Sequence, residues 1–210
     1  MAESLMVIIL VGLLIVAVIA GAVVFFIFRL RYKTASSNEA LIVTGPNLGD
    51  PEKEKNVFED DNGRSVKIIR GGGYRLRMFQ TATPIDLTSF QLQVDSEKAY
   101  TKEGIPVRVA STAVISIGSE LEIMANFAEK FLGKKQNERE SELKDVLNGH
   151  LRSIIASLPI EKIYNDFKEV NTQVKKIAEA DLKGMGFEIT SFALNDVEDV
   201  DKENGPEYRS

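Results

Sequence analysis

The chain has 210 residues, a formal net charge of −5, no cysteine and a single histidine. Without cysteine it forms no disulfide, zinc–thiolate site or thiolate nucleophile and takes no S-palmitoyl anchor, which agrees with a reducing cytoplasm. Setting aside the +2 carried together by Glu3, Arg29, Arg31 and Lys33 leaves −7 on the remainder. Such a charge does not grip nucleic acid, and no basic stripe with interleaved aromatics occurs.

Residues 1–4 read as a short extracytoplasmic tail. From Leu5 to Phe28 the chain runs 24 positions without a charge, 18 of them Leu, Ile, Val or Phe. As a helix this stretch is about 36 Å long, enough to cross a hydrocarbon core of about 30 Å with some tilt. Insertion gains at most about 5–11 kcal/mol, and no charge opposes it. A cleaved signal peptide has its basic residues before a shorter apolar run; here Glu3 precedes the run and Arg29, Arg31 and Lys33 follow it. That asymmetry sets the C-terminal side in the cytoplasm. A shallow re-entrant hairpin is the competing geometry; Gly12 and Gly21 would help it turn, but no proline interrupts the run, so a straight span is expected. Ala17 and Gly21 have the spacing at which two such helices approach closely, a pattern that also arises by chance among small residues.

Residues 29–38 form a basic collar and a polar linker, Thr34 to Asn38. Ala40 to Thr44 reads as a buried strand turned at Gly45-Pro46. A polar loop with a turn at Asn62-Gly63 follows, then a strand over Ser65–Arg70 that Gly71-Gly72-Gly73 interrupts. Tyr74 to Phe79 alternates like a half-buried strand, and further strands are expected near Ile85–Val94, Lys98–Tyr100 and Ile105–Ile117. The period then becomes helical. Ser119-Glu120-Leu121-Glu122 matches a capping box, and Leu121, Met124, Phe127, Ala128, Phe131 and Leu132 make one stripe, stopped by Gly133. A second helix carries Leu143, Val146, Leu147, Leu151, Ile154, Ile155 and Leu158 on one side. Pro159 separates it from a third, whose stripe runs from Ile160 to Met185, closed by Gly184-Met185-Gly186. Phe187 to Val197 returns as a strand. Sheet plus packed helices makes an α+β domain.

Residues able to do chemistry are few. His150 lies in the apolar stripe of its helix and reads as a partly buried, hydrogen-bonded structural side chain, with no H-E-x-x-H around it. Ser141 to Lys144 matches S-x-x-K, yet its flanking Glu138, Arg139, Glu140 and Glu142 describe a solvated helical turn, and the companion motifs of that enzyme class are missing. The triple glycine is neither a Walker A loop nor a dinucleotide fingerprint. Asp60-Asp61 and Asp196, Asp199 and Asp201 lack the EF-hand pattern and read as solvated surface or a helix start. No catalytic residue, cofactor or metal is expected.

Several runs taken in order resemble the flotillins of the stomatin/prohibitin/flotillin (SPFH, or Band 7) superfamily, and most nearly the bacterial flotillin-like proteins. They are Asn38–Gly45 after Tyr32-Lys33, Lys67–Gly73, Tyr100–Val107, Phe131-Leu132-Gly133, Val146–Ile155 and Asp181–Gly186. The resemblance implies an N-terminal transmembrane helix (5–28) followed by an SPFH domain over 39–199, with a β-rich first lobe against the membrane and an α/β second lobe. It further implies a homo-oligomer that organises raft-like patches of the cell membrane and recruits client membrane proteins, with no catalytic residues in the domain. Flotillins continue into a long coiled coil, whereas here Asn204-Gly205 leads to Pro206 and Ser210, so residues 200–210 are expected to mark a truncation or a short form. The expected function is therefore a non-enzymatic scaffold, membrane-tethered on the cytoplasmic side. A regulatory subunit of a membrane protease and a membrane-tethered enzyme are the competing classes, and an enzyme would show convergent polar groups in a pocket. A binding module for lipid headgroups is a third, in which the basic collar favours anionic lipids by about 1 kcal/mol per charge rather than only fixing orientation.

Overall fold

The computed structural model describes residues 2–59 and 63–200 and, within the first helix, the side chains of residues 6, 10–26 and 29. That helix, α1, runs unbroken over Ala2–Leu30. Among the described residues no helix is long and apolar enough to cross a membrane. Every side chain over residues 10–26 of α1 is exposed.

Two antiparallel sheets follow. The first has the order β2-β3-β1-β4, from β1 (Tyr32–Thr44), β2 (Val57–Glu59), β3 (Ser65–Arg75) and β4 (Thr81–Asp86). The second has the order β5-β6-β7, from β5 (Phe90–Tyr100), β6 (Pro106–Ile117) and the closing strand β7 (Phe187–Asp199). Between β6 and β7 come α2 (Leu121–Phe131), α3 (Gln136–Ser157), α4 (Ile160–Asn165) and α5 (Phe167–Gly184). The α+β domain expected from the sequence is thus present, sheet-rich first and helical later.

Alternation explains the second sheet. Val107, Val109, Ser111, Ala113, Ile115 and Ile117 of β6 all face the core, because side chains two apart share a face. Against that face α3 lays Leu143, Leu147, Leu151 and Ile155, and α5 lays Val170, Val174, Ala178 and Leu182, all of them buried. Spacings of three and four place each set on one helix face. The one buried hydroxyl in the middle of β6, Ser111, donates to the Val94 carbonyl of β5 at 2.5 Å, so its burial leaves no donor unmet.

The first sheet departs from the expected pattern in three places. Thr34–Asn38 is not a linker: it lies within β1, where Lys33, Thr34 and Ala35 pair with Tyr74, Gly73 and Gly72 of β3. The triple glycine does not end β3; the strand runs through it, and the register shifts so that residues 36–39 of β1 oppose Gly71 alone. Gly71 (φ 69°) and Gly72 (φ 80°) supply the backbone that this bulge requires. Tyr74 and Arg75 belong to β3, after which the chain turns at residues 76–80 into β4, so the expected strand over Ile85–Val94 is the end of β4 and the start of β5. The Asn62 half of the expected Asn62-Gly63 turn lies outside the described residues, as do Asp60, Asp61 and the tail beyond Val200.

Two helix boundaries also differ. The residue before α2 is Glu120, extended and without a side-chain cap, so the Ser119 capping box does not form; the Ser119 carbonyl instead accepts from Arg70 Nη1 at 3.0 Å, tying the start of α2 to β3. The third stripe breaks at Asp166 into α4 and α5. Its backbone (φ −140°, ψ 66°) is not helical, and its carboxylate accepts from the Glu169 N–H at 2.9 Å, which caps α5.

Candidate functional site

The three basic residues after the apolar run differ in their exposure and in the elements that carry them. Arg29 sits exposed in the last turn of α1, where a cation offsets the helix dipole. Lys33 is exposed on β1. Arg31, half-buried, lies at the joint, where its carbonyl accepts from the Leu76 N–H at 2.9 Å. That bond ties the foot of α1 to the far end of β3 and brings together two basic groups distant in sequence. Around it opens a cleft of about 780 Å³ whose charged lining is Arg31, Lys67, Arg75, Arg77 and Glu54. Glu54 pairs with Lys67, whose ammonium also donates to the Leu48 carbonyl at 3.2 Å.

Arg75 and Arg77 were not legible as functional residues, because Tyr74-Arg75-Leu76-Arg77-Met78-Phe79 alternates as any half-exposed strand would. No local sequence signal marks them; the Leu76–Arg31 hydrogen bond brings this run to the base of α1. Two turns that contribute to the lining are joined by Gln80, 8 % exposed. Its Nε2 donates to the carbonyls of Pro46 (2.9 Å) and Asn47 (3.2 Å), and its Oε1 accepts from the Arg77 N–H (2.9 Å) and the Tyr74 hydroxyl (3.3 Å). A buried amide with all four bonds made fixes both turns it touches. Ala17 and Gly21 lie one helical turn apart on α1, both exposed, and a side chain added at Gly21 would meet nothing within 4 Å.

The other chemical candidates fall elsewhere. His150 on α3 places Nε2 2.9 Å from Asp181 Oδ2 on α5, with about a fifth of its side chain exposed, and so joins two helices as a hydrogen-bonded structural side chain. Its neighbours Asn148 and Arg152 hold β5 at its register shift: Asn148 donates to the Asp95 carbonyl at 3.2 Å, and Arg152 Nε donates to Oγ of buried Ser96 at 2.9 Å. The run Val146–Ile155 is thus the seam between α3, α5 and β5. Replacing His150 by leucine is expected to change stability by no more than about 1 kcal/mol, since a half-open pair contributes little and leucine suits the stripe; a urea midpoint measured on both proteins checks this. Ser141 and Lys144 are both exposed on α3. Among the described residues no group of three or more His, Asp or Glu could hold a metal ion. Tyr164 on α4 has its phenol pushed above the usual range, by burial first and then by Asp199, Asp196 and Glu198 of β7.

The family model described as SPFH domain / Band 7 family matches residues 33–202, from the foot of α1 through the end of β7. The chain is 44% identical over 174 residues to the flotillin-like protein FloT of Bacillus subtilis (strain 168), covering 82% of this chain and 33% of that protein. It is 34% identical over 167 residues to flotillin-1 of Pongo abelii (79% of this chain, 36% of the relative) and 33% identical over 167 residues to flotillin-1 of Homo sapiens, with the same coverage. The chain spans about a third of the length of these relatives.

Proposed function

This chain belongs to the SPFH domain / Band 7 family, and we propose that it is a non-enzymatic membrane scaffold, held by α1 as a single span with its folded domain on the cytoplasmic face. The observation that carries the reading is α1 itself. Leu10, Leu13, Leu14, Val16, Phe25 and Phe26 are each more than half exposed, on all sides of a helix that nothing covers over that stretch. A helix apolar all round is stable only inside a protein core or a bilayer, and contiguous apolar surface of this size marks an interaction site. Arg29, Arg31 and Lys33 set the orientation, keeping their charge on the cytoplasmic side. The full chain is expected to stay with the membrane pellet after alkaline carbonate extraction; its release into the supernatant would contradict the reading.

Scaffolding requires self-association and client membrane proteins. Tethering confines copies to two dimensions, which raises their effective concentration and lets weak contacts count. The −7 outside the anchor region opposes crowding, most strongly at low salt. Ala17 and Gly21 offer the small-residue face through which two α1 helices would pack. Cross-linking in membranes is therefore expected to capture dimers and a short ladder that strengthens with added salt, and Gly21→Leu is expected to weaken the dimer band. A dimer band untouched by Gly21→Leu would move the contact from α1 to the folded domain.

A further inference from the structure

We propose that the free edge of β5, from Gln91 to Asp95, takes an extended segment of a partner protein as a fourth strand of the second sheet. The segment runs antiparallel to β5 and carries a basic side chain opposite Asp95. This adds a place where a partner's backbone is held, and it stands whether or not α1 crosses a bilayer.

The direction of the backbone groups is the first observation. Val94 lies opposite Ser111 of β6, and its carbonyl accepts from the Ser111 hydroxyl, so that carbonyl points into the sheet. In an antiparallel pair the residues on either side of a bonded one turn their backbone groups the other way. Those of Gln91, Gln93 and Asp95 therefore point away from β6. The Asp95 carbonyl agrees, since it accepts from Asn148 Nδ2 of α3 at 3.2 Å. The N–H groups of Gln91, Gln93 and Asp95 and the carbonyls of Gln91 and Gln93 meet no partner among the described residues.

The other sheet edges are the second. A bare edge invites any strand to pair with it, and folded proteins close such edges off. Here β2 has only three residues and β4 carries Pro84. On β7 the Leu194 N–H donates to Asn171 Oδ1 of α5, and the Thr190 carbonyl accepts from Lys175 Nζ, both at 2.8 Å. Over residues 90–96 β5 has none of these devices. It holds no proline and no lysine there, and its register shift comes later, between Ser96 and Ala99. α3 hydrogen-bonds the strand only at Asp95 and Ser96, and Lys144, one turn before Asn148, is exposed.

The side chains along the edge name the occupant. Gln91, Gln93 and Asp95 are exposed on one face of the strand, while Leu92 and Val94 are buried on the other. Residues directly opposite each other share a face and interact as pairs. The occupant thus sets an uncharged polar side chain beside each glutamine and a cation beside Asp95. A second copy of β5 fits worse, because it brings the same carboxylate and its own acidic domain to the edge.

The probe is the acetylated, amidated peptide Lys-Val-Thr-Val-Thr-Val-Lys. In antiparallel register its first lysine lies opposite Asp95 and its threonines opposite Gln93 and Gln91, with the threonine N–H groups facing β5. Added to the full chain in detergent micelles, it is expected to bind and to slow hydrogen exchange at the Gln91 and Gln93 amides. N-methylation of both threonines keeps every side chain but removes two donors, and is expected to weaken binding about 25-fold, about fivefold per hydrogen bond. N-methylation of the valines, whose N–H groups face outward, is expected to leave it unchanged. Gln93→Pro costs β5 no bond to β6 and is expected to abolish binding with an unchanged circular dichroism spectrum; Asp95→Lys is expected to weaken it by like-charge repulsion. The methylated peptides act on the unaltered chain, so the test does not depend on how Gln93→Pro folds. No binding at millimolar peptide would overturn the inference, and so would binding indifferent to threonine methylation. Gln91 and Gln93 amides that are protected without peptide, and more so at higher protein concentration, would overturn it in favour of a second copy as the occupant.

Discussion

Gly186→Ala is expected to destabilise the domain by about 3–5 kcal/mol, a large share of the stability of any domain this size. Gly186 ends α5: its N–H bonds the Lys183 carbonyl at 3.0 Å, and its φ is 91°. This is the left-handed position that closes a helix, where glycine is preferred. Here the demand is doubled by a neighbour. A Cβ at Gly186 would sit 2.3 Å from the Phe127 nitrogen and 2.4 Å from its Cα, both backbone atoms of α2 that cannot swing aside. The Gly186 carbonyl also accepts from the Gly118 N–H at 3.1 Å, so any shift that relieves the clash pulls on the end of β6. Urea unfolding followed by circular dichroism checks the size; a loss below about 1 kcal/mol would show that α2 can retreat cheaply.

Phe127→Ala is expected to cost a similar amount, about 3–5 kcal/mol, for a different reason. Phe127, Phe131 and Phe187 form a closed group, with ring centroids 5.3 to 6.0 Å apart and both contacts to Phe187 edge-to-face. All three rings are at most 2% exposed. Edge-to-face pairs add about 0.5–1.5 kcal/mol beyond area burial. The Arg139 guanidinium, 5.5 Å from the Phe127 ring, loses its aromatic face as well. Removing the ring does not relieve the Gly186→Ala clash, because alanine keeps the backbone nitrogen and Cα that the new methyl strikes. The double variant is therefore expected to be less stable than either single one, and a double variant more stable than Gly186→Ala would show that the ring, not the backbone, sets the limit.

The parts of the fold legible from the amino-acid order are those where burial alone decides. The stripes of α2, α3 and α5 and the alternation of β6 follow from spacing, because each buries one face and exposes the other. Gly186 was readable as a helix stop for the same local reason. What was not legible depends on partners far along the chain. Thr34–Asn38 is polar and reads as a linker, yet pairing with the glycine-bearing end of β3 makes it strand. Ser119 has the residues of a capping box, but its carbonyl is taken by Arg70 and the backbone before α2 is extended. Asp166 splits a stripe whose apolar spacing continues unbroken across it, since the cap is made by a carboxylate that periodicity does not weigh. At the candidate site, Arg29, Arg31 and Lys33 announce themselves by following an apolar run. Arg75 and Arg77 do not, because only the hydrogen bond between Leu76 and Arg31 brings them to the foot of α1.

The central claim is that α1 crosses the bilayer and leaves the folded domain in the cytoplasm. Since the chain has no cysteine, one cysteine placed at Ser4 and, in a separate protein, one at Ser36 report the two sides of the span without interference. Ser36 is exposed in the stretch of β1 that bulges away from β3, so a thiol there is open to reagent. Intact cells treated with a membrane-impermeant thiol reagent are expected to label Ser4→Cys and to leave Ser36→Cys unlabelled until the membrane is opened. Labelling of Ser36→Cys on intact cells, with Ser4→Cys protected, would place the domain on the opposite face and contradict the account; protection of both would replace the span by a helix that returns to the side it entered from.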